Sequence, residues 1–136
     1  MLSHLPWTIV SLILYNVIAF TGGGSADTPE TPFHYELFSL SLLSGGSWSF
    51  TLGDLVLLVA FLALFVEIVK SARVSSVAFI DHGLSVLVFI VALVEFLLVP
   101  QAATSLFFFI MFTALIDVIG GFSVGLSTAR RDFGVN

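Results

Sequence analysis

The chain has no cysteine, which rules out disulfides, thiolate metal sites and thiol catalysis. It is almost as poor in charge. Lys and Arg together number 4, and charged residues make up 10% of the 136 positions, whereas a soluble domain carries about a quarter. No Lys or Arg precedes Lys70, so the N-terminal stretch lacks the basic region of a secretory signal, although Gly24-Ser25-Ala26 has the small residues of a cleavage site. With a formal net charge of -5 and a pI of about 4.8, the chain has no basic footprint for nucleic acid. Phosphate loops and metal boxes are also missing, and no enzymatic activity is expected.

What the chain has is oil. Hydrophobic residues make up 58% of it, 15 of them phenylalanine, and the mean hydropathy is +1.14. This composition describes an integral membrane protein. Roughly 20 apolar residues cross a bilayer as a helix, and four stretches approach that length within a single domain, 1–136. They cover about 5–20, 52–69, 76–99 and 102–126. Pro6 and Trp7 suit the start of the first span, as a proline in an opening turn beside an interfacial aromatic. Pro100 closes the third. Gly120, Gly121 and Gly125 are expected to loosen the last turns of the fourth. The fold class expected is therefore all-α, with four transmembrane helices.

Charge gives an orientation. Lys70 and Arg73 fall between the second and third spans, and Arg130 and Arg131 follow the fourth. Positive loops mark the cytoplasmic face, which places both termini in the cytoplasm and the 21–51 segment outside. That segment has Asp27, Glu30 and Glu36 but no basic residue. A bacterial inner (plasma) membrane fits this arrangement.

The outer segment opens with glycine- and proline-rich linker, then changes to a period of two. Phe38, Leu40 and Leu42 alternate with serines, and beyond Ser44-Gly45-Gly46-Ser47 the residues Trp48 and Phe50 do the same. Alternating arms around a Gly-Gly turn predict a β-hairpin. An amphipathic segment over 33–43 is the rival, since Phe33, Leu37, Leu40 and Leu43 also match helical spacing. Two strands alone are marginal in water, so the apolar row Phe38, Leu40, Leu42, Trp48 and Phe50 is a candidate docking face. Thr51-Leu52-Gly53-Asp54 then approximates a capping box leading into the second span. The order of elements, with a β-rich loop after the first of four spans, resembles that of claudin-like tetraspan proteins. Their paired loop cysteines and tryptophan-centred motif have no counterpart here, so the likeness stops at layout.

Ionisable groups within spans are functional candidates by default. Counting rises from the span ends puts Glu67 roughly 5 Å, and Asp81, His82 and Asp117 roughly 10 Å, from the cytoplasmic edge. Glu67 is expected to pair with Lys70 and Arg73, and His82 to pack beside Asp81 as a hydrogen-bonded histidine. Asn16 and Glu95 fall near the outer ends of the first and third spans, as an interhelical hydrogen bond worth about 1 kcal/mol. Asp81, Ser85, Val88, Ala92 and Glu95 form one helical stripe that should face protein. No Lys or Arg is expected at the depth of Asp81, Asp117 or Glu95. These acids are therefore read as a proton-sharing cluster, a cation site, or contacts to Lys or Arg of another subunit. The histidines lack the spacing of a metal or haem site, and no cofactor is implied.

Two functions follow. The first is a structural or accessory subunit that sits in the lipid bilayer and binds other membrane subunits or itself. The second is a homo-oligomeric proton- or cation-coupled transporter or channel using the intramembrane acids.

Overall fold

The computed structural model describes residues 4–72 and 78–134. Arg73 and positions 76–77, assigned above to the second loop and the third span, lie outside the described residues. The chain is mostly helical, with α1 (Thr8–Thr21), a 3-10 turn (Thr31–His34), β1 (Glu36–Ser41), β2 (Ser47–Thr51), α2 (Leu52–Ser71), α3 (Ala78–Leu98), a second 3-10 turn (Pro100–Ala102) and α4 (Ser105–Phe133).

Among the described residues, α2, α3 and α4 are each long and apolar enough to cross a membrane. α1 is shorter, at 14 residues, or about 21 Å against a hydrocarbon core of about 30 Å. It starts two residues later than Pro6. Trp7 is its N-cap and makes no side-chain capping bond. The start is stabilised instead by a group from another helix, described below.

The other helix ends follow local chemistry. Thr51 and Asp54 form a complete reciprocal capping box at the start of α2, with the Thr51 amide donating to Asp54 Oδ2 at 2.9 Å and the Asp54 amide to Thr51 Oγ1 at 3.2 Å. α4 does not start at 102 as expected. Pro100-Gln101-Ala102 is spent in the 3-10 turn, and Thr104 becomes the cap by accepting the Phe107 amide at 3.0 Å. Nor does the glycine-containing end of α4 loosen, because the helix continues through Arg130 and Arg131 to Phe133.

The helices run alternately up and down. The beginning of α1 meets the end of α2, the beginning of α3 and the middle of α4. α4 packs on both α2 and α3, and α1 packs mainly on α2. The seam between them is built from small residues, with Ala60, Ala63, Ala92 and Ala114 buried beside Val56, Val88 and Ile110. Small residues let helix backbones approach closely where lipid provides no hydrophobic drive. Leu58, Phe61, Phe65, Leu87, Phe108 and Phe112 point outward, which suits a lipid environment.

The segment ahead of α2 is a hairpin, not a helix. β1 and β2 pair antiparallel, with Phe38 opposite Phe50 and Leu40 opposite Trp48, after an irregularity between Glu36 and Phe38. Gly45 takes a φ of +84° at the turn, where a side chain would be strained. Phe33, the first residue of the rival helical reading, lies in the 3-10 turn and is buried.

Candidate functional site

Three groups of side chains stand out: a charged end, a plug at the hairpin end, and the hairpin face. At the charged end, α2 brings Glu67 under the start of α1. One Glu67 oxygen accepts the Trp7 amide at 3.0 Å and the other lies 3.3 Å from Lys70 Nζ. A carboxylate beneath an uncapped helix N-terminus satisfies a free N–H and complements the helix dipole. Glu67 is buried, and its pair with Lys70 is the one that the spacing of the two residues predicts.

Lys70 also reaches the Leu5 carbonyl at 3.4 Å and Asp81 Oδ2 at 3.8 Å. The other Asp81 oxygen lies 3.2 Å from His4 Nδ1. This corrects the expectation that no cation of this chain lies at the depth of Asp81. The long Lys70 side chain runs back from the helix end, and the residues ahead of α1 fold over the same spot.

Asp117 is also drawn into this end from α4. It is buried and accepts from Thr8 Oγ1 at 3.4 Å. Glu67, Asp81 and Asp117 therefore gather around the beginning of α1. His82 does not join them. Its ring stacks on Phe122 and seats against Gly121, where an added Cβ would come within 2.8 Å of Nδ1. That buried nitrogen has no hydrogen-bond partner among the described residues, so His82 is not the hydrogen-bonded neighbour of Asp81 that adjacency suggested. Gly121 acts as the close-approach position for this ring. The contacts of Gly125 lie outside the described residues.

The α3 stripe faces inward: Ser85, Val88 and Ala92 are buried, and Asp81 meets α2. Asn16 Nδ2 donates to the Leu12 carbonyl at 3.0 Å.

The plug centres on Tyr15. Its ring stacks on Phe33 at 4.5 Å and meets Phe107 edge-on at 4.9 Å. Its hydroxyl donates to the Gln101 carbonyl at 2.8 Å and lies 2.7 Å from Thr104 Oγ1. Gly22 leaves room for Pro32, whose Cβ would lie 2.6 Å from a Cβ added there, so the loop between α1 and β1 folds back over the end of α1.

The hairpin face is open. Phe38 and Phe50 stack at 5.0 Å, Trp48 meets both edge-on, and Leu40 and Leu42 extend the row. Phe38 is 48% and Trp48 45% exposed. Phe50, next to the junction with α2, is half-buried.

Tyr15, Phe33, His4 and Thr104 were not among the expected site residues. Thr104 carries a legible signal, a hydroxyl residue just before a long apolar run. The other three are joined by contacts distant in sequence. No protein-family model, curated protein or solved structure matches the chain.

Proposed function

We propose that this chain is a structural or accessory subunit of a larger membrane protein complex, crossing the membrane four times with both termini cytoplasmic and the hairpin outside. In this reading α1 crosses together with Leu5, Pro6 and Trp7, and the local bilayer thins to meet a short span. Lys70, Arg130 and Arg131 give the inside face its charge, as in a bacterial inner membrane.

The observation carrying this reading is the aromatic row of the hairpin, in which Phe38 and Trp48 are exposed beside the half-buried Phe50. A contiguous exposed apolar patch on a folded chain is a mark of an interaction site. The charged end supports it, because Glu67, Lys70 and Asp81 are spent on tying the chain's own helices together. Purification of the full chain from its native membrane in mild detergent tests the proposal. Different polypeptides in fixed stoichiometry are the expected result, and a homogeneous homo-oligomer would overturn it.

A proton- or cation-coupled homo-oligomer is the second reading, favoured by Asp117, a buried acid that accepts from the Thr8 hydroxyl. Acid-dependent flux in liposomes containing only this chain, lost in Asp117→Asn, would support it.

A further inference from the structure

The backbone bonds at the two ends of the hairpin fix which way its other backbone groups point. Beside the turn the Leu42 amide donates to the Gly46 carbonyl at 2.8 Å, and at the base the Leu52 amide donates to the Tyr35 carbonyl at 2.8 Å. In an antiparallel ladder, facing residues alternate between pairs that exchange backbone bonds and pairs that do not. Counting from Leu42 and Gly46, Leu40 with Trp48 and Phe38 with Phe50 are bonded pairs, whereas Ser41 with Ser47 and Ser39 with Ser49 are not. The aromatic row therefore uses its backbone groups inside the hairpin. The N–H and C=O of Ser39 and Ser41 point out from the free edge of β1, and those of Ser47 and Ser49 from the free edge of β2.

The two edges differ. β1 is exposed at all 6 of its positions, whereas the last two residues of β2 are half-buried where that strand runs into α2. Among the described residues, the sheet has two strands and no further segment pairs with β1. Open edges are ordinarily blunted by lysine, proline or charge, but no proline or ionisable residue occurs from Leu37 to Gly53. The irregularity between Glu36 and Phe38 confines the regular edge to Phe38 through Leu42.

We propose that the β1 edge is a strand-addition site, on which an extended, uncharged segment of a different subunit pairs with the backbone groups of Ser39 and Ser41. The inference rests on the subunit reading and names the form of the partner. Donors and acceptors recurring every second residue, about 7 Å apart, are matched by another strand. A helix has its own backbone groups bonded internally, and an acyl chain has none to offer. In strand addition the main chain gives affinity and alternate side chains give specificity. The added strand continues the face of Phe38, Leu40 and Leu42, so its residues on that side are apolar.

The test is hydrogen–deuterium exchange of the complex purified from its native membrane in mild detergent, resolved to single residues and compared with the purified chain. The Ser39 and Ser41 amides are expected to exchange about tenfold slower in the complex, and Ser47 and Ser49 to change little. Ser41→Pro removes an outward N–H while keeping the bonds within the hairpin, and is expected to release the partner. Ser49→Pro makes the same change on the β2 edge and retains it. Near-ultraviolet circular dichroism of Trp48 reports whether the hairpin is intact in each variant. Unchanged Ser39 and Ser41 exchange in a complex of different polypeptides would overturn the strand site and leave the subunit reading standing, a result that needs no variant to fold. Retention of the partner by Ser41→Pro with an intact hairpin would do the same. Protection of these amides in a homogeneous oligomer of this chain would make a second copy the occupant and overturn both readings. Equal protection in the chain alone in lipid nanodiscs would give the edge to the membrane surface and overturn the strand site.

Discussion

The Tyr15 hydroxyl donates to the Gln101 carbonyl at 2.8 Å, joining the middle of α1 to the turn between α3 and α4. That turn lies just after Pro100, where the chain has left one helix and not begun the next, so its carbonyls lack helical partners. Tyr15→Phe keeps the stacking on Phe33 and removes only the hydroxyl. The expected loss is about 1 kcal/mol, the scale of one interhelical hydrogen bond in a membrane protein. It is read as a lower midpoint of thermal unfolding in detergent. An unchanged midpoint would mean that the aromatic stacking alone holds this end together.

Glu67 should distinguish charge from hydrogen bonding at the start of α1. Glu67→Gln keeps an oxygen for the Trp7 amide but loses the charge facing Lys70, while Glu67→Ala loses both. A carboxylate at a buried helix N-terminus contributes about 1–2 kcal/mol. The expected order of stability is wild type, Glu67→Gln, Glu67→Ala, with faster amide exchange at the start of α1 in the alanine variant. Equal stability of the glutamine and alanine forms would show that the Trp7 contact contributes nothing.

What could be read from the sequence was local. The capping box of Thr51 and Asp54 needs only four consecutive residues, and the hairpin announces itself by alternation around Gly45. The inward stripe from Asp81 to Glu95 follows from helical period alone. The charged end was harder to read. Depth counting put the acids in one layer but treated Lys70 as fixed at its helix end, although its flexible side chain extends to Asp81. His4 carries no local signal, because its sequence separation from Asp81 is large and only the packing of the helices brings the two together. Phe33 belongs in the sequence only to the rival amphipathic reading of 33–43; its burial against Tyr15 depends on the loop folding back at Gly22, a contact with no local signature.

Gly121 and His82 should behave as a coupled pair. A methyl group at 121 would approach His82 Nδ1 to 2.8 Å, so Gly121→Ala has to displace the ring from its seat beside Phe122. His82→Ala makes the space available. The double variant is expected to recover most of the stability lost in Gly121→Ala, a coupling of about 1 kcal/mol or more for residues in direct contact. Detergent melting of the two single variants and the double variant gives the cycle. Strict additivity would place the cost of Gly121→Ala elsewhere.

The hairpin separates docking from folding. Only Phe50 of its aromatic row is half-buried, and Phe38, Leu40, Leu42 and Trp48 are exposed, so the row contributes little to the packing of this chain's own helices. Replacing Trp48 and Phe50 with serine should therefore leave the helix content and melting of the purified chain close to wild type. The serine face of the same strands, Ser39 opposite Ser49 and Ser41 opposite Ser47, gives a matched control, because substitutions there keep the aromatic row. If the row is a docking face, the Trp48/Phe50 variant loses co-purifying subunits in mild detergent while a Ser39/Ser49→Thr variant retains them. The strands carry no ionisable residue between Glu36 and Asp54, so a partner held by the row should resist salt and respond to apolar detergent. Retention of all subunits by the Trp48/Phe50 variant would move the docking face to the outward phenylalanines of the helices.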